Sequence, residues 1–281
     1  MQNNRSPIFI QLFKYFLYFI ILSAIHIYIK TNYLLFIHNY SFTSKMATSS
    51  SSSNNLQSVA PLSSVPQATN WDQMWTNGIP PGTRFDIMGA HKLLQQKIQA
   101  NLIPTGRALV PGMGRGYDIQ ALVSEQRYVI GMDISPTGVK EASTYLSSVI
   151  PSHLVSQYEL ITGDFFSYQP TELFSFIYDY TFLCALLPSV RTQWAEQMSK
   201  LIQPGGILMC LEFPLGPYGE THPKDQPLDY TKGPPFLLSK QLYHTLLEPV
   251  GFECIEENDI DPALSNPKRA GVEAVSLWRK K

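Results

Sequence analysis

The sequence predicts a doubly wound α/β sheet of seven strands over residues 70–281. Short apolar runs alternate with helix-length segments after Gly106, a glycine-rich turn follows the first run, and successive runs end on acidic residues. Arg107 to Val110 is the first strand, ending in Pro111-Gly112-Met113-Gly114-Arg115-Gly116, and a helix follows from Tyr117 to about Ser124. Tyr128 to Met132 is the second strand and stops at Asp133. Ser135-Pro136 then opens a helix, with serine as N-cap and proline, whose φ suits a helix, at the first position. Tyr158 to Thr162 is a third strand stopping at Asp164, and Phe174 to Tyr178 a fourth closing on Asp179-Tyr180. A helix over Ser189–Ile202 ends at Pro204-Gly205-Gly206, before a fifth strand from Ile207 to Phe213. Leu238 to Leu247 is a helix broken by Pro249, and Phe252–Glu257 and Val272–Trp278 supply the last two strands. In such sheets ligands sit at the carboxyl ends of the strands.

Composition narrows the function. Charged residues make up 15% of the 281, against roughly 25% in an average soluble protein. The net charge of −1 provides no field to draw a phosphate backbone, so nucleic acid is not the expected partner. Cys184, Cys210 and Cys254 are odd in number and lack C-x-x-C spacing, so they read as reduced, buried thiols rather than disulfides or a cysteine zinc site.

The average conceals a break near residue 45. Residues 1–45 hold Arg5, Lys14, Lys30 and Lys45 but no acid, so without them the net charge becomes −5. The 15 uncharged residues from Tyr15 to Ile29 fall short of the roughly 20 that span a bilayer comfortably. This apolar leader reads as a signal or lysine-snorkelled anchor, as leader sequence read through before a start at Met46, or as a transit peptide, although it lacks the Arg-rich character of the last. Residues 46–69, rich in Ser, Asn, Gln and Pro, bury too little to offset ordering entropy and read as a disordered linker.

The strand ends carry the chemistry. Gly112-x-Gly114-x-Gly116 lets the backbone turn tightly and approach a ligand. Dinucleotide sites want G-x-G-x-x-G, and here Gly116 falls one residue early, so a ligand without a pyrophosphate fits better. Asp133, 21 residues after Gly112, can accept both ribose hydroxyls of an adenosine, or else serve as an acid at a helix N-terminus. Asp164 beside Phe165 can accept the adenine amine and cover the base, and isolated residues of this kind are otherwise loop cap and core. Trp71 and Trp75, four apart, share a helix face. They serve either as core or as a lid whose indoles hold a sulfonium by cation–π attraction and exclude water.

With those residues in view, the chain from about residue 70 onward resembles the class I S-adenosylmethionine-dependent methyltransferases. Within them it resembles the thiopurine methyltransferase family, especially its plant-type thiol and halide methyltransferases. The likeness is carried by Trp71-x-x-x-Trp75, Gly106-Arg107-Ala108-Leu109-Val110-Pro111-Gly112, Val129-Ile130-Gly131-Met132-Asp133-Ile134-Ser135 and Gly163-Asp164-Phe165-Phe166. It continues in Thr171-Glu172-Leu173-Phe174, Tyr178-Asp179-Tyr180-Thr181-Phe182-Leu183-Cys184-Ala185 and Glu248-Pro249-Val250-Gly251-Phe252. The resemblance implies a Rossmann-like sheet in the order 3-2-1-4-5-7-6 with the last strand antiparallel. It also implies S-adenosyl-L-methionine contacts at Trp71, Trp75, Gly112, Asp133, Asp164, Phe165 and Tyr180. Two departures stand out, the first implying a lid that closes less tightly. Gly82 stands where plant-type members carry a third tryptophan, and Met113 where relatives often have cysteine. A proline-rich insert, Pro214 to Pro235, is expected to shape the acceptor pocket.

The reaction so implied is methyl transfer to a small thiol, hydrosulfide, thiocyanate or halide, with a thiopurine-like heteroaromatic thiol as the alternative. An NAD-dependent oxidoreductase and a non-catalytic cofactor-binding protein are the other classes considered. Soft nucleophiles need alignment and a dry pocket more than a dedicated base. Tyr180 is expected to line the reacting centre with its hydroxyl orienting cofactor or acceptor. Arg191 either attracts an anionic acceptor or lies on a solvated helix face. Cys184 reads as a packed thiol, the histidines as surface or structural, and no metal is expected. A cytoplasmic monomer follows, unless the leader anchors it to a membrane.

Overall fold

The computed structural model describes residues 65–281. The leader over residues 1–45 and most of the linker expected over 46–69 lie outside the described residues. Helix α1 (Val65–Thr76) opens ahead of the expected boundary at residue 70.

The sheet contains β1 (Gly106–Pro111), β2 (Arg127–Asp133), β3 (Tyr158–Thr162), β4 (Phe174–Tyr180), β5 (Ile202–Glu212), β6 (Phe252–Asp259) and β7 (Ala274–Lys280). Its order is β3-β2-β1-β4-β5-β7-β6, as expected. The first five strands run parallel, and β7 pairs antiparallel with both β5 and β6. Helices cover both faces, so the central strands read as continuous apolar runs. Leu109, Ile130, Ile177 and Leu208 are almost wholly buried there.

Helices α2 (Lys92–Gln99), α3 (Tyr117–Leu122), α4 (Pro136–Val149), α5 (Arg191–Leu201) and α6 (Lys240–Leu247) complete the layers. Ser135 caps α4, its hydroxyl accepting the Gly138 amide at 2.9 Å. Asp179, at the end of β4, ties α5 to the sheet. It accepts Trp194 Nε1 at 2.9 Å and the Leu183 amide at 3.1 Å, and burial pushes its carboxyl up to about 6.

Several boundaries differ from the sequence expectation. Helix α5 begins only at Arg191, after a 3-10 turn over Pro188–Val190, and β5 already starts at Ile202. The β4–β5 pairing shifts register between Phe174 and Phe176, and that shift absorbs Pro204, which has no N–H to give the ladder. Helix α2 escaped the sequence reading, and β7 lies further along the chain than expected. Among the described residues no helix is long and apolar enough to cross a membrane.

Candidate active site

A cavity of about 810 Å³ opens at the carboxyl ends of β1 to β4, with α1 and the 214–235 insert contributing to its walls. Every residue expected to touch the cofactor lines it: Trp71, Trp75, Gly112, Asp133, Asp164, Phe165 and Tyr180. The insert contributes Tyr218, Glu220 and Pro235 to the lining.

The glycine turn is built for close approach. Gly112, Gly114 and Gly116 have φ of 60°, 53° and 85°, in the region that side chains disfavour. A Cβ on Gly112 would also stand 2.5 Å from the Phe182 ring. Asp133 accepts the Gly114 amide at 3.1 Å and the Ser135 amide at 3.0 Å. It is therefore not the cap of α4, which is Ser135. Burial raises its carboxyl to about 6, against the pull of those amides.

The carboxylate already accepts the Gly114 amide, and the cradle suits a nucleoside with hydroxyls to donate. Asp164 accepts the Phe166 amide at 3.0 Å and caps a short 3-10 turn, which holds Phe165 edge-on to Phe182 at 5.1 Å. Acceptor carboxylates, a glycine turn and aromatic walls fit an adenosyl group bearing a cation.

Helix α1 is tied to the start of α4 by the hydroxyls of Thr76 and Thr137, 3.4 Å apart, and by Asp72. Asp72 on α1 accepts the Ser135 hydroxyl at 2.7 Å and the Thr137 amide at 3.1 Å, and these bonds hold its carboxyl below the ordinary value. Trp71 and Trp75 both meet the Phe85 ring edge-on at 5.7 Å, and the Arg115 guanidinium lies 5.5 Å from the Trp75 ring. Arg115 is itself held by Asp86 at 2.9 Å and the Ile79 carbonyl at 2.5 Å. Gly82, at the place of a third tryptophan, adopts φ 80° and gives its amide to Asp86.

Tyr180 sits in a polar wall that sequence reasoning missed. Its hydroxyl donates to Glu273 at 2.8 Å and accepts from Arg269 Nη1 at 2.6 Å. The phenol's proton is thus committed to Glu273, and towards a ligand the oxygen can only accept. Burial, above all, keeps that phenol neutral. Arg269 is 1% exposed, yet it lines the cavity, stacked 4.4 Å from the Phe213 ring and bonded to the Phe85 carbonyl.

Glu273 is pushed up by burial, but its bonds to His91 and Tyr180 outweigh that and leave it below the usual range. His91 is structural. Its Nδ1 accepts the Leu93 amide at 3.1 Å, which leaves the Nε2 proton facing Glu273 at 3.4 Å. Asp118, half-buried in the same wall, rises to about 7 because desolvation outweighs the His91 backbone bond and the Arg269 charge. No motif marks Arg269 or Glu273, and Asp118 looks like an ordinary first-turn acid.

Arg191 is a correction. It does not line the cavity and does not face solvent: at 6% exposure it turns under the 236–238 segment, 6.0 Å from the Phe236 ring. Burial lowers its guanidinium's affinity for the proton. Cys184 is packed as expected, with its thiol pushed up to about 12 by burial. Cys210 is buried too, whereas Cys254 is only half-buried.

Comparison with known proteins agrees with this geometry. A family model described as thiopurine S-methyltransferase matches residues 66–280. A protein named probable thiol methyltransferase 2 from Arabidopsis thaliana is 37% identical over 219 residues, covering 78% of this chain and 88% of its own. Thiocyanate methyltransferase 1 from Brassica oleracea is 36% identical, covering 75% and 84%. Among solved structures, the Burkholderia thailandensis 1,6-didemethyltoxoflavin-N1-methyltransferase with bound S-adenosylhomocysteine superposes with a TM-score of 0.56. It is 16% identical over 79% of this chain and 92% of that one, a likeness of fold. A family model spanning nearly all the described residues, and relatives above one-third identity along most of their length, place this cavity in a known lineage: the chain belongs to the thiopurine S-methyltransferase family, whose cofactor is S-adenosylmethionine.

Proposed function

We propose that this protein methylates a small, soft nucleophile, a thiol, hydrosulfide, thiocyanate or halide, with S-adenosylmethionine as the donor. The observation that carries the reading is the convergence of Asp133, Asp164–Phe165, the glycine turn and the two lid tryptophans on one cavity. When bound, S-adenosylmethionine supplies an electrophilic methyl on a sulfonium. The residues of the chain divide the remaining work.

Asp133 offers acceptor lone pairs to the ribose diol, and Asp164 with Phe165 serves the adenine edge and face. The indoles of Trp71 and Trp75 hold the cation and keep water out. Tyr180, its proton held by Glu273, presents only a lone pair towards the reacting centre. Arg269 gives the acceptor end a buried positive charge, which favours an anionic nucleophile such as thiolate or thiocyanate. Alignment in this dry cleft takes the place of acid–base chemistry.

A cytoplasmic monomer is part of the same reading. The three free cysteines support a reducing compartment, and light scattering tests the monomer.

Radiolabelled methyl transfer across a panel of hydrosulfide, small thiols, thiocyanate, iodide and a thiopurine tests the function. Highest specificity for the small anions is expected. Preference for the thiopurine would move the acceptor to a heteroaromatic thiol. Tight S-adenosylhomocysteine binding with transfer to none of the panel would sink the reading.

A further inference from the structure

Away from the active site, at the outer edge of the sheet, β6 and α6 bring together three side chains of the types that bind zinc. Successive residues of a strand point to opposite faces, so Cys254 and Glu257, three apart, would ordinarily lie on opposite sides. A bulge at Ile255 changes that. The pairing moves from Cys254 opposite Trp278 to Glu256 opposite Leu277 and Glu257 opposite Ser276. Glu256 turns to Lys97 of α2 on one face, and Cys254 and Glu257 share the other with His244 of α6.

One ligating atom each from His244, Cys254 and Glu257 lies within 4.8 Å of the others. His244 Nε2 is 3.2 Å from Glu257 Oε1. Ligands on a tetrahedral zinc, with bonds of ~2.0–2.3 Å, stand about 3.3–3.7 Å apart, so closure needs side-chain movements of about 1 Å at most. The other ring nitrogen, Nδ1, lies 2.7 Å from Glu248. That carboxylate fixes the ring and the tautomer in the way that carboxylates behind zinc-bound histidines do. The Trp278 ring, edge-on at 4.9 Å, supports the imidazole from beneath.

We propose that His244, Cys254 and Glu257 form a zinc site, oriented by Glu248, that staples α6 to the edge strand β6 and leaves one position for water. The thiol must lose its proton to ligate, so binding expels that proton to solvent and strengthens as pH rises. The groups facing the site are Glu248, Glu257, Glu212 and Lys240. The site lies outside the cleft and does not depend on the proposed methyl transfer.

Cobalt(II) is the probe. Titrated into the chelator-treated full chain, it should bind one ion per chain and give a near-ultraviolet thiolate-to-cobalt absorption. Cys254→Ser should abolish that band, Glu257→Gln should weaken affinity tenfold or more, and Glu248→Gln should weaken it about tenfold. Zinc should displace cobalt and raise the unfolding temperature of the wild type but not of Cys254→Ser. S-adenosylhomocysteine affinity, measured in parallel, reports whether each variant is folded. Absence of the band in the wild type, or its survival in a folded Cys254→Ser variant, would overturn the site.

Discussion

The hydroxyl of Tyr180 and the carboxylate of Glu273, 93 residues apart in sequence, meet at 2.8 Å, and Arg269 Nη1 reaches the same oxygen at 2.6 Å. One phenol therefore joins β4 to the segment entering β7 and to the loop before it. Tyr180→Phe removes the shared oxygen and leaves a buried donor and a buried acceptor each short of a partner. Stability should fall by about 1–3 kcal/mol, measured by urea unfolding. Transfer should slow more than cofactor binding weakens, because Arg269 loses its bond to the phenol and keeps only that to the Phe85 carbonyl. Steady-state kinetics beside S-adenosylhomocysteine titration separates the two.

Asp133→Ala should weaken S-adenosylhomocysteine binding by an order of magnitude or more. A buried carboxylate that can accept from a diol is lost, and the Gly114 and Ser135 amides lose the group that orients the turn. Calorimetry on the folded variant checks this. Unchanged affinity would remove Asp133 from the cofactor site.

The sequence disclosed those parts of the site that are local in the chain. The turn Gly112–Gly116, Asp133 and the pair Asp164–Phe165 each sit at the end of a strand whose apolar run is legible without its neighbours, and the topology brings strand ends together. The polar wall was not legible, because each member takes its meaning from a partner far along the chain: His91 from Glu273, and Arg269 from Tyr180 and Phe85. Arg191 misled for the same reason. Its place at the start of a helix suggested solvent or an anion, and packing against Phe236 decided otherwise. The cluster of His244, Cys254 and Glu257 follows no spacing rule, since a bulge sets its parity.

Gly112→Ala tests the cradle itself. The new methyl meets Phe182 at 2.5 Å on a backbone with φ of 60°, so the turn must shift and the ring must move. Phe182 packs edge-on against Phe165, so the shift reaches the wall expected to cover adenine. A loss of about 1–3 kcal/mol in stability is expected, together with weaker S-adenosylhomocysteine binding. Thermal unfolding with and without ligand reads both: the variant should melt earlier and gain less from ligand than the wild type.

Asp118 gives the protein a pH dependence whose sign is fixed by burial. Its carboxyl titrates near 3.8 when unfolded and at about 7 in the fold. Between those values the native state keeps a proton that the unfolded chain has released, so stability contributed at low pH is lost as pH rises towards 7, and the loss levels off above it. Asp133 and Asp179, at about 6, and Glu212, at about 7, act in the same direction, so the slope of the wild type alone does not identify Asp118. Asp118→Asn isolates it: the amide oxygen can still accept from the His91 backbone, and the side chain cannot ionise. At ~1.4 kcal/mol per pH unit the full effect is about 4 kcal/mol, reduced in practice because ionised Asp118 is partly compensated by the Arg269 charge. Urea unfolding of wild type and variant at pH 5 and pH 8 should show an advantage for the variant that is larger at pH 8 than at pH 5 by on the order of 2 kcal/mol. An equal difference at both pH values would mean that Asp118 does not change protonation between them.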